Sequence, residues 1–406
     1  MDKITGVLDA LQGIFGKGFV LAGFLPVILL LSVSWILGCW LSASCREFSE
    51  YLLYAKLLQK FALGVIMLLL VSMVSFVFWQ LNAWFRQCLE GRIWPLSVQN
   101  WLSVEYRNKC RVLDEQVQRF LNEGGEYRRA VALWPAQLIA NSTGMGNAVQ
   151  DPNLDRDYQK LKRRFGGSRP VPFEDVEAFY TRLCAELRLT SLTAAPVLEE
   201  MSNTLCDDFL PRGRDMAQRE LYRVIPERQS FPASEMSIGP TRLINLQEAQ
   251  RDFISRTYGI DATLFWADLL KVASDNQSFA ATLENAKTRL DFSIALTAVA
   301  TTFTLGWIIM CGIFGTSSLA YVVVVVFGAL ATIVARQLVL INSQTFAETV
   351  RTTVELFRFD LLKAMHLPMP ENSDREREIW MGLAQRVAIG IQNTVTYQHE
   401  APQGHA

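Results

Sequence analysis

Long charge-free apolar runs alternate with polar stretches along this chain. Gly18 to Cys45 carries no charge, nor does Phe61 to Phe85, and the longest such run extends from Phe292 to Ala335. About 20 apolar residues cross the hydrocarbon core as a helix, and a charge at its centre costs roughly 2.5–3.5 kcal/mol on insertion scales. The longest run is broken at "CGIFGTSSLA", where Gly312, Gly315 and two serines form a tight hairpin. Four transmembrane helices in two pairs are therefore predicted, over residues 19–42, 61–85, 292–313 and 317–335. The first run is too long for the apolar core of a signal peptide, and no small-x-small site follows it, so it reads as a retained span.

Between the pairs the periodicity becomes that of surface helices. In "NKCRVLDEQVQRFL" the apolar residues at 110, 113, 117 and 120 share a stripe, and in "VEAFYTRLCAELRL" those at 176, 179, 183 and 187 do so. Strand-like alternation is scarce, and "LIANSTGMGNAVQDPN" and "SRPVPFED" read as loops. After the fourth run Val339, Phe346, Val350, Val354, Phe357, Leu361 and Met365 keep a helical spacing until "HLPMP". The last span thus continues past the membrane as one helix. Its apolar stripe must be covered by the polar domain or by a second copy of the chain, and the domain is the simpler cover. A further helix, "REREIWMGLAQRVAIGIQ", closes the fold before a frayed end. The fold class is mainly α: a four-transmembrane-helix protein with a mainly helical cytoplasmic domain inserted between the pairs. Its segments are 1–85, 86–290, 291–335 and 336–406.

The loop between spans three and four is uncharged and faces outward, while basic residues crowd the stretch from Arg86 to Arg129. Both features place the termini and residues 86–290 on the cytoplasmic side of the membrane. Arg46, Lys56 and Lys60 in the first loop run against this rule; "YLLYAKLLQKF" reads as early turns of the second span or as an interfacial helix.

Composition narrows the chemistry. The 39 basic and 40 acidic residues cancel, so no global field recruits nucleic acid. Seven cysteines lack CxxC spacing and read as free thiols in a reducing compartment. The three histidines, His366, His399 and His405, are confined to the C-terminal end, which excludes a His-rich metal site in the body of the chain. No GxSxG, HExxH, paired-carboxylate or kinase-like set occurs, and no cofactor is implied. The spans hold no ionisable residue, which counts against ion-coupled transport. Their polar residues, Gln80, Asn82, Thr297, Thr301, Thr302 and Thr304, suit interhelical hydrogen bonding or the lining of a pore.

Candidate sites remain in the polar part. "STGMGN" has glycines that admit a phosphate but lacks the GxGxxG spacing, the P-loop lysine and a preceding strand, so it reads as a loop. Lys160, Lys162, Arg163, Arg164 and Arg169 form a solvated face, a patch for anionic lipid headgroups or, least favoured, a nucleic-acid contact. Asp207 and Asp208, near Arg212 and Arg214, read as a helix-end ion pair. "GPTRLINLQEAQ" has the grammar of a helix start, with Gly239 as N-cap and Pro240 in the first turn. Leu243, Leu246, Phe253 and Ile254 give it one buried face. Gly259 fits the left-handed position past its end, and Asp261 the N-cap of the next helix. Arg242 and Asn245 share a face and serve no capping role, and Arg242 is expected in an ion pair inside the domain.

"PTRLINLQEA…YGIDATLFW" resembles the PTRLGN…YGIDA…W pattern of a family of uncharacterised bacterial polytopic membrane proteins. The tail "FRFDLLKAMHLPMP" followed by "EREIW" is similar to that family's closing helix, and "FLP" to its entry into the first span. This chain departs at Ile244, where the family more often has Gly. The resemblance implies a shared inner-membrane architecture and no catalytic residue. Arg242, Asn245, Tyr258, Asp261 and Trp266 then organise the polar domain, and Arg358 and Asp360 on the long helix couple it to the membrane.

The leading functional reading is a non-enzymatic inner-membrane protein whose cytoplasmic domain binds a partner or senses a signal and couples it to the membrane helices, a layout that a stress or phage-defence component would share. Its partners are the bilayer and a cytoplasmic protein or a second copy of the chain. The alternative is an oligomeric channel or pore-forming effector gated by the cytoplasmic domain and dependent on Thr297, Thr301 or Thr304. A third is an enzyme of unrecognised type in which Arg242 meets Asp207 or Asp261.

Overall fold

The computed structural model describes residues 17–54, 56–141, 152–167, 169–189, 196–314 and 318–390. Among them the chain is helical and forms no strand. Four of the helices are long and apolar enough to cross a membrane, which makes this a multi-pass membrane protein.

Lys17–Phe19 leads through a π-helical turn, Val20–Phe24, into helix α1 (Leu25–Leu41). After a corner at Ser42 come α2 (Ala43–Tyr54) and α3 (Leu57–Gln80), and α4 (Asn82–Glu90) follows a break at Leu81. The π turn puts Gly23 against α3, where a Cβ would lie 3.3 Å from the Ser75 carbonyl oxygen and 3.4 Å from Trp79 Cβ. The second span therefore begins and ends earlier than its charge-free run. "YLLY" closes α2, and Lys60 falls in the first turn of α3, where a long side chain can reach the interface. Asn82 lies outside that span.

Residues Glu105–Phe231 form one compact unit. Its helices are α5 (Leu96–Asn141), which begins ahead of the unit, α6 (Pro152–Phe165), α7 (Phe173–Leu189), α8 (Pro196–Thr204) and α9 (Leu210–Gln229). The predicted α7 stripe is fully used, with Val176, Phe179, Leu183 and Leu187 all buried. Rings fill the centre: Trp134 stacks on Tyr180 at 3.8 Å and Phe165 on Phe209 at 4.7 Å. The Tyr127 hydroxyl donates to the Val171 carbonyl at 2.8 Å, and Gly213 presses on the Tyr127 ring so closely that no Cβ fits. A π turn, Leu205–Phe209, joins α8 to α9 without a break. Asp208 and Arg212 do pair, at 2.6 Å, but within this continuous rod and not at a helix end. Position i and position i+4 share a helix face, so the pair needs no terminus.

The second compact unit joins the residues before Glu105 to those from Pro232 onward. The stretch 86–290, read from sequence as one domain, is thus divided between the two units. This second unit adds α10 (Arg242–Tyr258), α11 (Trp266–Ser274), α12 (Gln277–Phe314), α13 (Ser318–Ala364) and α14 (Ser373–Ile389). Helices α12 and α13 pair as a long hairpin and carry spans three and four. At 1.5 Å per residue α13 is about 70 Å long, more than twice the hydrocarbon thickness. Close packing in the hairpin uses Gly328, which touches the Thr304 side chain and has no room for a Cβ. The hydroxyls of Thr297, Thr301 and Thr304 donate to carbonyls four residues back on their own helix, at 2.9, 2.8 and 2.7 Å.

Beyond the span, the predicted stripe of α13 is covered by this chain itself. Val354 and Leu361 are buried with Ile254 of α10, Leu269 of α11 and Trp380 of α14. The helix stops at His366, whose φ of 56° lets Leu367 N donate to Leu362 O at 3.0 Å and satisfy a terminal carbonyl. Asn372 then caps α14 by accepting from Arg375 N at 2.8 Å.

Gly213→Ala is expected to destabilise the 105–231 unit by about 1–3 kcal/mol, since an added methyl in a packed core forces strain. Trypsin digestion of the full-length protein in detergent should cut faster within 105–231 than in the wild type. Cleavage after Arg336 and Arg351 should stay at the wild-type rate.

Candidate functional site

The site grows from the end of α4. Gly91 adopts the left-handed conformation (φ 77°), and Arg92 N donates back to Gln87 O at 3.0 Å, closing the helix. Glu90 is buried there, and its two carboxylate oxygens accept from Arg86 at 3.0 Å and Arg92 at 2.6 Å. The Thr241 hydroxyl donates to the Glu90 carbonyl at 3.1 Å. Pro240 and Thr241 lie so close that a Cβ on Gly91 would sit 2.9 Å from Pro240 Cγ and 3.0 Å from Thr241 Cγ2. Gly91 is therefore required both by its backbone angle and by this approach.

Asn245 sets the other half of the junction. It is fully buried, and its amide takes both polar groups of the Gly239 backbone, accepting from Gly239 N at 2.6 Å and donating to Gly239 O at 3.2 Å. These bonds hold Gly239 outside the helix. The N-cap is consequently Thr241, extended at φ −132° and ψ 155°, with its hydroxyl accepting from Ile244 N at 3.4 Å. This overturns the expected start at Gly239 and Pro240. Ile244 is seated directly on Gly239, leaving no room for a Cβ there. Arg242, expected in an internal ion pair, is exposed and makes none among the described residues. Arg242 and Asn245 face different surroundings although they are three residues apart.

The far end of α10 docks on α14. Gly259 (φ 77°) donates to Ser255 O at 2.8 Å, and a Cβ on it would fall 2.8 Å from Arg377 Cα. The Asp261 carboxylate accepts from Thr263 N at 2.8 Å and Leu264 N at 3.4 Å. It caps a turn, and α11 itself starts only at Trp266, after Phe265. Asp261 thus serves the backbone and does not meet Arg242.

A charged and aromatic network ties this turn to α13. The Tyr258 hydroxyl donates to Glu355 Oε1 at 3.1 Å, and Arg351 pairs with the same oxygen at 2.7 Å while lying 3.9 Å over the Phe253 ring. Arg358 lies 4.6 Å over the Tyr258 ring and 4.2 Å over that of Phe359. It pairs with the buried Glu376 at 2.8 Å and also donates to the Glu355 carbonyl. Burial, then the Glu355 charge, pushes the Tyr258 hydroxyl up. The hydrogen bond from Arg351 holds Glu355 below its ordinary value of 4.5. Both shifts keep Tyr258 a donor and Glu355 an ionised acceptor. Trp380 is fully buried edge-on to Phe265 at 5.3 Å. Asp360 stays outside the network, exposed and paired with Lys363 at 3.4 Å.

Between α10, α11, α12 and α13 lies a cavity of about 580 Å³. Its walls are mainly apolar, with Ile254, Trp266, Leu283 and Phe346 among them, and Arg86, Gln250, Lys287 and Ser343 supply polar atoms. Gln250 Oε1 is buried there with no hydrogen-bond partner among the described residues. A buried acceptor left unmatched costs about 1–3 kcal/mol of stability. The cavity's volume falls within the usual range for small-molecule sites.

The remaining sequence candidates stand apart. Lys160, Lys162, Arg163, Arg164 and Arg169 are exposed; Arg164 pairs with Asp175, and Lys162 lies 5.5 Å over the Tyr158 ring. "STGMGN", at 142–147, lies outside the described residues. No group of three potential metal ligands occurs among the described residues. Sequence reasoning missed Glu90, Gly91, Arg92, Glu355 and Glu376. The one signal that pointed near them was the "EREIW" similarity, which contains Glu376 and Trp380.

Asn245→Ala strands two buried backbone groups of Gly239 and is expected to lower stability by about 2–3 kcal/mol. Arg242→Ala removes an exposed side chain and should stay within about 0.5 kcal/mol of the wild type. Thermal unfolding of both variants in one detergent checks the contrast, and equal losses would contradict it. In comparisons with known proteins, no family model, no curated protein and no solved structure matches this chain.

Proposed function

We propose that this is a non-enzymatic bacterial inner-membrane protein that receives a signal on its cytoplasmic side and passes it to its membrane helices. The signal is a bound partner or small molecule. The observation that carries this reading is the continuity of α13, which extends unbroken from span four into the grip of α10, α11 and α14. A rigid helix held at one end by polar side chains and at the other by a bilayer transmits displacement along its length. The cavity touches the same helix at Ser343, Phe346, Ala347 and Val350, so a guest there alters the contacts that seat it. The orientation follows from the basic residues after span two and the uncharged hairpin between spans three and four.

Two perturbations on the cytoplasmic side test the coupling. Arg358→Ala removes the link from α13 to Glu376, and Ala347→Trp fills the cavity. Nitroxide-bearing residues placed at the exposed positions Leu305 and Phe327 report the separation of spans three and four in nanodiscs by pulsed electron resonance. Either substitution should shift that separation by roughly 1–2 Å, the scale of helix shifts in switching proteins. Distance distributions unchanged in both variants would contradict the proposal.

A further inference from the structure

The corner between α1 and α2 brings two cysteines together. Cys39, in the last turn of α1, and Cys45, in the first turn of α2, have their sulfurs 3.3 Å apart. Cys39 Sγ also lies 3.7 Å from the Cys45 carbonyl oxygen. Both side chains are partly accessible. Gly38 faces the same corner, where a Cβ on it would meet Cys45 Sγ at 3.4 Å, an ordinary contact. Trp35 and Phe48 meet edge-on at 5.8 Å across the same corner, so it is packed from a second side as well. The two thiols are held by helices that already touch, and a bond of about 2.05 Å needs only a local side-chain adjustment.

We propose that Cys39 and Cys45 form an intramolecular disulfide on the outer face of the membrane, pinning α2 to the end of the first span. The side rests on the orientation proposed above, which puts this corner in an oxidising compartment where disulfides persist. The step is thiol–disulfide exchange with an oxidised dithiol oxidase of the cell envelope. One cysteine thiolate attacks the oxidase disulfide, giving a mixed disulfide and freeing one oxidase thiol. The second cysteine thiolate attacks the mixed disulfide at the sulfur from this chain, so the Cys39–Cys45 bond forms and the oxidase leaves as a dithiol. Two electrons and two protons pass to the oxidase. The seven cysteines are then not alike, as the sequence reading had them: this pair is separated by the membrane from the reducing side.

Two measurements on the full-length protein test it. Cells are quenched in acid, free thiols are blocked with light N-ethylmaleimide under denaturing conditions, and the sample is reduced and treated with the heavy reagent. Mass spectrometry should find the heavy label on both Cys39 and Cys45 and the light label on Cys88 and Cys206. Sidedness is read separately from Tyr54→Cys, which occupies a position 88% exposed in α2, in a Cys39→Ser/Cys45→Ser background. A membrane-impermeant maleimide should label it in spheroplasts. Light label on the pair with Tyr54→Cys labelled from outside overturns the disulfide and leaves the orientation standing. Labelling of Tyr54→Cys only after the membrane is opened overturns the orientation, and with it the outer-face site.

Discussion

A helix that leaves the bilayer with its apolar stripe unbroken has to bury that stripe in water. Most of the second unit follows from meeting this constraint for α13. Val354 and Leu361 lose contact with water only because Ile254, Leu269 and Trp380 close over them. Each buried aliphatic side chain is worth about 1.5–3 kcal/mol, so a few of them outweigh any surface ion pair nearby. The Arg358–Glu376 pair has a different role. Both partners are largely removed from solvent, so pairing and hydrogen bonding chiefly offset their own desolvation. What the pair supplies is register: it fixes which turn of α14 meets which turn of α13.

Helix α10 is held at both ends by approaches that only glycine permits. At its start Pro240 and Thr241 press on Gly91, and at its end Gly259 presses on Arg377. The first contact ties it to the extension of span two and the second to the helix that covers α13. A strut fixed in this way leaves little freedom for the two extensions to move separately. The cavity lies alongside that strut, where a guest competes with the contacts between α10, α11 and the hairpin.

The spans, the long exit of α13 and the α7 stripe were legible in the sequence because hydrophobic periodicity is local and strong. The start of α10 was not. Capping grammar reads three or four residues, whereas Asn245 reaches back six to hold Gly239 and thereby moves the helix start to Thr241. Glu90 was harder to read: its carboxylate partners Arg86 and Arg92 are close in sequence, but the Thr241 hydroxyl that bonds its backbone carbonyl lies 151 residues away. Arg242 drew notice as a motif residue, yet its neighbours leave it in solvent. The boundary of the 105–231 unit falls inside α5, where an unbroken helix gives no change of composition to mark it.

Hydrogen exchange of the full-length protein in nanodiscs, measured along α13 with and without Trp380→Ala, tests most directly whether this cover holds the emergent helix. Amides 350–362 should exchange as slowly in the wild type as those of 320–334. In the variant, 350–362 should lose protection while 320–334 keep it. Fast exchange over 350–362 in the wild type, or protection there unaffected by losing Trp380, would contradict a holding role for the cover.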